Sequence, residues 1–273
     1  MGRHDYRYES GCRQHDILMI TLDTLRYDAA KLEEANCPNL CGSGPWEKRH
    51  TPGSFTYAAH HAFFGGFLPT PANTDKSTHV RLFHSKNTGL RTDPRTWLFD
   101  TPDIVSGLQS EGYRTICIGG VIFFTKKVPL ARVLPGYFQE SYWRMTFGVT
   151  NPRSTEHQVG HALKLLREAD PKQRLFLFLN VSAIHGPNHY FVPGARHDSV
   201  DTQRAAIRYV DQQLGPLFDA MRDRGPAFCM AFSDHGTAYG RMAIRGTGWR
   251  MTSYGTYLIE NFSCNNCYIS GSI

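Results

Sequence analysis

The stretch Leu-Phe-Leu-Phe-Leu-Asn-Val at residues 175–181 decides the fold that the sequence predicts. It is almost entirely apolar and has the length of a strand, which is typical of a strand covered on both faces by helices. Two other short apolar runs, Ile17–Leu22 and Ala227–Phe232, predict strands of the same kind. A fourth strand is predicted at Arg114–Gly119.

Stretches with helical periodicity separate these predicted strands. They cover residues 103–111, 155–169 and 203–221, where apolar residues recur at three- and four-residue intervals. Alternation of strands and helices is typical of a mostly parallel sheet with helices on both faces. The sequence therefore predicts an α/β fold.

The predicted helices carry expected start and stop signals. Thr101 is the predicted N-cap of helix 103–111, and Gly112 is its predicted stop. Thr155 and Gln158 form a predicted capping pair for the next helix. Pro216 predicts a kink in the helix at 203–221.

Composition excludes several classes of protein. Of the 273 residues, 41% are hydrophobic, which is enough for a core, and the net charge of +6 is mild. No apolar run approaches the roughly 20 residues of a membrane helix, and no nucleic-acid-binding motif is visible. The polar stretch 1–12 lacks the apolar core of a secretory signal. We therefore expect a cytoplasmic protein without membrane or nucleic-acid partners.

Polar side chains follow three of the predicted strands. Asp23 follows the first strand, His185 comes shortly after 175–181, and Asp234 and His235 follow Ala227–Phe232. Ligands of such sheets bind beyond the carboxyl ends of the strands, and carboxylate and imidazole groups suit zinc, manganese or another divalent cation. In the alternative interpretation, Asp23 is an ordinary loop carboxylate and His185 a turn residue.

A set of motifs in a fixed order carries a resemblance to a known family. The motifs are DILMITLDTLRYD at 16–28, PNL at 38–40, SFTYAAHHAFFGGFLP at 54–69, GYRT at 112–115, LFLN at 177–180, HGP at 185–187, YVDQQLG at 209–215 and SDHG at 233–236. Over about residues 16–240, this ordered set resembles the sulfatase branch of the alkaline phosphatase superfamily, in particular a compact bacterial subgroup of sulfatase-like hydrolases. The resemblance implies an alkaline-phosphatase-like fold.

The resemblance also implies roles for individual residues. Asp23, Asp234 and His235 would bind a divalent metal ion (Zn, Mn or Ca), with one or two ions per site. Thr56 falls at the position of the family's nucleophile, and His60 at the position of the arginine that follows the nucleophile in sulfatases. His185 falls where a histidine contacts the anionic oxygens of the substrate.

The chemistry of Thr56 agrees with that implied role. A threonine hydroxyl is a poor nucleophile at neutral pH, and metal coordination can activate it. A helix predicted at Ala58–Phe67 would place Thr56 near its N-terminus, which favours an incoming anion. His60 would lie about one turn into this helix and donate to a bridging or leaving oxygen. The alternative role for Thr56 is a plain helix N-cap.

The identity of residue 56 bears on the substrate. The formylglycine of true sulfatases is made from Cys or Ser, and family members with threonine there act on phosphoesters or phosphodiesters. We therefore expect phosphoester chemistry on a small anionic ester. A sulfate-ester hydrolase and an inactive, anion-binding relative are the alternatives. The sequence predicts neither the natural substrate nor the oligomeric state.

The end of the chain departs from the family pattern. The family usually supplies another His or Lys ligand after its Asp-His-Gly, but no His or Lys follows His235. Residues 241–273 also lack a convincing strand or helix period. We therefore expect a catalytic domain at 1–240 and an atypical tail at 241–273.

One hypothesis is that this tail is frameshifted. Codons can be chosen for residues 241–262 so that another reading frame encodes NGYPGHRLAHDVVWNVPYREF, which contains two histidines.

A second metal site at His185 and His189 also stays open, because two-metal members of the superfamily have an acid-x3-His motif there.

Overall fold

A computed structural model describes residues 15–66, 81–84, 96–99, 102–239 and 254–261. Its main feature is a seven-stranded sheet. The chain forms nine strands in these ranges: β1 (Asp16–Leu22), β2 (Glu47–His50), β3 (Arg81–His84), β4 (Thr96–Phe99), β5 (Arg114–Ile118), β6 (Glu140–Tyr142), β7 (Leu175–Val181), β8 (Ala227–Phe232) and β9 (Tyr254–Asn261).

The sheet is mostly parallel. Its order is β2-β9-β8-β1-β7-β5-β6, and the five strands from β8 to β6 run parallel to one another. β9 pairs antiparallel with both β8 and β2, whereas β3 and β4 form a separate parallel pair. The four predicted strands are confirmed, and all five parallel strands end at the same edge of the sheet.

Helices cover both faces of the sheet. The described α-helices are α1 (Tyr27–Glu33), α2 (Pro38–Cys41), α3 (Thr56–Gly65), α4 (Ile104–Ser110), α5 (Leu130–Val133), α6 (Ser154–Glu168) and α7 (Val200–Arg224). The four predicted helices correspond to α3, α4, α6 and α7. None of these described helices combines the length and the apolar composition needed to cross a bilayer.

The alternation of side chains along β7 explains the two layers. The three leucines and Val181 join a core cluster that contains residues of α1, α2, α6 and α7. Phe176 and Phe178 point to the other face and join a second cluster with residues of α3, α4 and α5. Because side chains alternate along a strand, Asn180 shares the face of the two phenylalanines, which is the face that α3 covers.

Two predicted helix starts are wrong. The N-cap of α4 is Asp103, whose carboxylate accepts a hydrogen bond from the Ser106 amide at 2.7 Å, and the predicted cap Thr101 lies outside the described residues. Thr155 and Gln158 lie inside α6, which begins without a side-chain cap. Gln158 instead donates a hydrogen bond from Nε2 to the backbone carbonyl of Asn180 at 2.7 Å.

Two other helix signals can be compared with the structure. Gly112 stops α4 as predicted and has a φ of +85°, which glycine adopts without steric cost. α7 runs through Pro216 without ending there.

The tail also contains an element that its sequence did not predict. No strand was expected after residue 240, yet β9 lies in the main sheet between β8 and β2. Its pairing uses backbone groups, which every residue except proline can offer. A weak side-chain period therefore did not prevent this segment from joining the sheet.

Candidate active site

The first side chains of the site follow β1. Asp23 is fully buried, and its amide extends the β1–β7 ladder by donating to the Val181 carbonyl at 3.1 Å. The next residue, Thr24, has a φ of +63°, an unfavourable conformation for a β-branched residue. This conformation aims the Thr24 amide at Asp234 Oδ1, 3.1 Å away. The strained turn thereby ties the ends of β1 and β8 together.

Asp234 follows β8 and presents its two oxygens differently. Oδ1 accepts hydrogen bonds from the amides of Thr24 and His235, the latter at 2.9 Å. Oδ2 is buried and has no hydrogen-bond partner. Burial and the charge of Asp23 both raise the pKa of Asp234.

His235 faces the same point with its ring. Its Nδ1 lies 2.9 Å from the Gly236 carbonyl, which can only accept, so Nδ1 carries the hydrogen. In the neutral ring Nε2 then carries a lone pair. This nitrogen lies 3.6 Å from Asp234 Oδ2 and 3.8 Å from Asp23 Oδ1. Burial lowers the pKa of His235, but the two carboxylates raise it, and the net shift is upward.

Asp23, Asp234 and His235 together fit a cation. Each offers one ligand atom, and these atoms lie within 4.8 Å of one another. Asp23 Oδ1, like Asp234 Oδ2, is buried without a hydrogen-bond partner. Two bare carboxylate oxygens in a buried site are costly unless a positive charge is added. Divalent cations bind to carboxylate and imidazole ligands, so these three side chains are suitable ligands for such an ion.

Thr56 lies beside these three side chains. It is the first residue of α3 and is buried, and its hydroxyl donates to Asp23 Oδ2 at 3.2 Å. His235 Nε2 lies 3.4 Å from the same hydroxyl oxygen. The N-cap of α3 is Phe55 and no side chain caps the helix, so the Thr56 hydroxyl is not a plain helix cap. The sequence-predicted residues from three remote segments therefore meet at one point.

His60 is completely buried next to this point. Its Nδ1 donates to the Thr56 carbonyl at 2.7 Å, and its Nε2 lies 3.0 Å from the Thr21 hydroxyl. Burial lowers the pKa of His60 to about 4, against the opposing charge of Asp23, so the ring is neutral at pH 7. Because both nitrogens are already hydrogen-bonded, donation to a substrate oxygen would require one of these bonds to break first.

Sequence reasoning missed the role of Asn180. Its Nδ2 donates to Asp23 Oδ2 and to Thr21 Oγ1, each at 3.1 Å. Its Oδ1 accepts from the amides of Gly120 and Val121 at 3.2 and 3.1 Å. The available signal was that Asn180 is the one polar residue of an otherwise apolar strand.

His185 lies apart from these contacts. It is partly exposed, and its Nδ1 contacts the Gly186 carbonyl at 2.5 Å. Among the described residues it shares no hydrogen bond or ion pair with Thr56 or the three candidate ligands. His189 pairs with Asp198 at 3.1 Å, and the described ranges contain no second cluster of three candidate metal ligands. A second metal ion at this place stays a prediction.

Comparisons with known proteins identify the family. The sequence profile of the sulfatase family matches residues 16–262. A search of curated proteins finds no match. Among solved structures, the lipoteichoic acid synthase LtaP from Listeria monocytogenes has a TM-score of 0.55 at 16% identity, over 83% of this chain and 57% of that chain.

Two further structures are similar. The phosphonate monoester hydrolase of Agrobacterium radiobacter has a TM-score of 0.57 at 15% identity, over 90% of this chain and 68% of that chain. The C-terminal periplasmic domain of EcEptC from Escherichia coli, solved in complex with Zn, has a TM-score of 0.56 at 13% identity, over 91% of this chain and 73% of that chain.

At these identities the structural likeness concerns the fold alone, and it confirms the predicted alkaline-phosphatase-like α/β fold. The chain spans only 57% of the length of LtaP. The cytoplasmic location stays a prediction. Since the family profile covers the chain from β1 to the end of β9, the chain belongs to the sulfatase family.

Proposed function

We propose that this protein is a metal-dependent hydrolase or phosphotransferase that acts on a phosphoester or phosphodiester through Thr56. One observation carries the proposal. The Thr56 hydroxyl lies 3.2 Å from Asp23 Oδ2 and 3.4 Å from His235 Nε2, beside two buried carboxylate oxygens that have no hydrogen-bond partner.

Asp23, Asp234 and His235 would hold the metal ion. An imidazole among the ligands favours zinc over calcium, which prefers oxygen ligands throughout, and the two carboxylates also suit manganese. A structural neighbour, the periplasmic domain of EcEptC, was solved in complex with Zn, which is consistent with this choice. When bound, a divalent ion supplies a Lewis acid that lowers the pKa of a coordinated hydroxyl and neutralises developing negative charge.

The residues of the chain then prepare the nucleophile. Thr56 donates its hydrogen toward Asp23 Oδ2, so the lone pairs of Oγ1 are free to face a phosphorus atom. His60 holds the Thr56 carbonyl from one turn further along α3 and so fixes the position of the threonine. The first amide groups of α3 have no partner within the helix and are oriented to bind anionic oxygens.

The proposed reaction has two steps. Thr56 Oγ1 forms a bond to phosphorus in line with the leaving oxygen, whose bond to phosphorus breaks, and the hydroxyl proton moves toward Asp23 Oδ2. Water or a second alcohol then attacks phosphorus, and the bond between phosphorus and Thr56 Oγ1 breaks. The proton near Asp23 Oδ2 returns to Oγ1, and the proton of the attacking group neutralises the alkoxide released in the first step. His185, which follows β7 at the same edge of the sheet, is our candidate for contacting the anionic oxygens of the substrate.

Turnover of matched esters tests this function. We would measure the hydrolysis of bis(4-nitrophenyl) phosphate, 4-nitrophenyl phosphate and 4-nitrophenyl sulfate with and without added Mn²⁺ or Zn²⁺. We expect metal-dependent turnover of a phosphate ester and a loss of at least about 10³-fold in Thr56→Ala, because the covalent route is removed. Thr56→Ser keeps a hydroxyl and should retain measurable activity.

The other outcomes separate the alternatives. Faster turnover of the sulfate would favour a sulfate-ester hydrolase, which the family match also supports. Equal rates for wild type and Thr56→Ala would contradict the proposed nucleophile. A protein that binds phosphate but turns over none of the esters would favour the inactive relative.

A further inference from the structure

A cavity of about 370 Å³ lies at the same edge of the sheet as the candidate site but is not part of it. Its walls come from residues 120–128, which follow β5, and residues 143–150, which follow β6. β5 and β6 run parallel to β1, so both segments leave the sheet at its carboxyl edge. Its volume falls within the range of about 300–1,000 Å³ that is usual for small-molecule pockets.

Hydrogen bonds connect the cavity to the candidate site. The amides of Gly120 and Val121, two wall residues, donate to Asn180 Oδ1, and Asn180 Nδ2 donates to Asp23 Oδ2. The approach is close, because a Cβ on Gly120 would lie 2.5 Å from the carbonyl oxygen of Asn180. One side chain therefore separates the cavity wall from a candidate metal ligand.

Ring contacts connect the cavity to α3 as well. Phe123, in the middle of the first wall segment, packs against Phe55 and Tyr57, with ring centroids 6.2 and 5.8 Å apart. These two residues flank Thr56. The first wall segment therefore contacts the residues on both sides of Thr56 in the chain.

The walls expose apolar side chains. Six large apolar side chains in the described ranges are markedly exposed: Leu32, Phe55, Ile104, Ile122, Val128 and Met145. Three of them, Ile122, Val128 and Met145, line this one cavity. Such a concentration of exposed apolar area is typical of a binding site.

The chemistry of the walls favours an aliphatic ligand. Five of the eleven lining residues are isoleucine, valine or methionine, and Trp143 supplies the one aromatic ring of the lining. The Lys127 ammonium already covers that ring, with Nζ 4.9 Å from the centroid. One face of the ring is therefore occupied by a cation, which leaves less of the ring open to stack on an aromatic ligand.

We propose that this cavity binds an alkyl chain of the ester substrate, so that the substrate is an anionic ester with an aliphatic group of several carbons. This inference rests on the proposed function, because the anionic ester group would lie at Thr56.

Binding and turnover of matched ligands test the inference separately from the chemistry. With the full chain and added Mn²⁺, calorimetry would measure the affinities for methylphosphonate, hexylphosphonate and phenylphosphonate. Turnover would be compared for methyl and hexyl 4-nitrophenyl phosphate, which share one leaving group. We expect hexylphosphonate to bind at least about tenfold more tightly than methylphosphonate, and kcat/KM to show the same preference, because affinity increases with buried apolar area.

A matched pair of double variants assigns the preference to the cavity. Ile122→Ser with Met145→Ser should reduce the preference for hexyl at least about threefold, because these two side chains supply apolar area. Ile104→Ser with Leu32→Ser removes comparable exposed side chains from α4 and α1 and should leave the preference unchanged. Equal affinities for methyl and hexyl, tighter binding of phenyl, or equal effects of the two double variants would overturn the proposal.

The two proposals fail in different ways. A chain-length preference in binding without any turnover would support the cavity and contradict the proposed catalysis. Turnover without a chain-length preference would support the proposed catalysis and contradict the role of the cavity.

Discussion

The two oxygens of Asp23 have different environments, and this difference organises the candidate site. Oδ2 accepts hydrogen bonds from Asn180 and Thr56, whereas Oδ1 has no partner and lies 3.8 Å from His235 Nε2. Hydrogen bonds to one oxygen fix the plane of the carboxylate, so the other oxygen is held in place for a cation. Hydrogen bonds to a metal ligand from residues that do not touch the metal commonly change the affinity for the metal.

Asn180 gives the first prediction at this scale. Asn180→Leu keeps the approximate shape but removes the donor to Asp23 and leaves the buried amides of Gly120 and Val121 without an acceptor. We expect the free energy of unfolding to fall by about 2–4 kcal/mol and the affinity for Mn²⁺ or Zn²⁺ to fall about 10- to 100-fold. Urea unfolding and metal titration measure these two effects. An unchanged metal affinity would contradict the role of Asn180 at Asp23.

Individual residues also show where sequence reasoning succeeds and fails. The convergence of Asp23, Thr56, Asp234 and His235 was predictable, because strand ends and ordered motifs identify positions, and the roles of these residues stay predictions. The hydrogen bonds that occupy both nitrogens of His60 were not, because they depend on the packing of α3 against β1. The positive φ of Thr24 has no signal in its residue type, since threonine disfavours that conformation.

Among the elements, α1 and α7 are joined by a buried carboxylate. Glu33 of α1 is fully buried and lies 2.6 Å from Arg204 Nε and 2.8 Å from Arg208 Nη1, both on α7. Burial raises the pKa of Glu33, but hydrogen bonds from Arg208, Asn36 and Arg204 outweigh it, and the net shift is downward. The folded protein therefore favours the charged form of Glu33.

Glu33→Gln gives a prediction for this pair of helices. Because the arginines are partly exposed to solvent, we expect the variant to lose only about 1–2 kcal/mol of unfolding free energy at pH 7. A lowered folded-state pKa means that wild-type Glu33 stabilises the fold above its unfolded pKa, near 4.5, and that this stability is lost as the pH falls through the folded-state pKa. The difference between the two proteins should therefore shrink below about pH 4.5.

Urea unfolding at several pH values measures this difference. Glu168→Gln is the matched control, since Glu168 forms an exposed pair with Lys164 at 3.7 Å and should change stability by less than about 0.5 kcal/mol. Equal effects of the two substitutions would contradict the assigned role of Glu33.

The start of α4 gives a second prediction among the elements. Asp103 accepts hydrogen bonds from the amide and the hydroxyl of Ser106 at 2.7 and 2.6 Å. We expect Asp103→Ala to lower the free energy of unfolding, measured by thermal unfolding, by about 1–2 kcal/mol. Asp103→Asn should retain most of the wild-type stability, because asparagine also caps helices. Thr101→Ala is the control for the cap predicted from sequence and should have little effect. A larger loss from Thr101→Ala would contradict the observed cap.

The strands were easier to predict than the helix ends for a physical reason. A buried strand such as β7 needs apolar residues on both faces, and that requirement is visible in the sequence. A cap depends on which of several nearby polar residues reaches an amide. Before α4 both Thr101 and Asp103 were suitable residue types, so the choice between them was decided by backbone geometry.

For the molecule as a whole, the parallel sheet explains why function concentrates at one edge. β1 and β8 are neighbours, so Asp23 and Asp234 meet although 210 residues separate Thr24 from Asp234. β7 lies next to β1 on the other side and contributes Asn180, while β5 and β6 lead into the cavity. The fold class and this convergence were predictable from strand order and motif order. The cavity was not, because loops that follow strands have no periodic pattern.

The tail carries the last prediction. The family profile includes residues 241–262, yet no His or Lys follows His235 in the sequence. The hypothesis of a frameshift predicts that a chain with NGYPGHRLAHDVVWNVPYREF after Gly240 binds the metal ion through a further imidazole, in addition to Asp23, Asp234 and His235. A fourth protein ligand should raise the affinity for Zn²⁺ or Mn²⁺ at least about tenfold, as measured by metal titration of this chimera against the present chain. The matched control replaces both histidines of the inserted sequence with alanine and should bind metal no more tightly than the present chain. If the chimera and its control bind metal equally, or if the gene contains no downstream frame with such histidines, the frameshift hypothesis is contradicted.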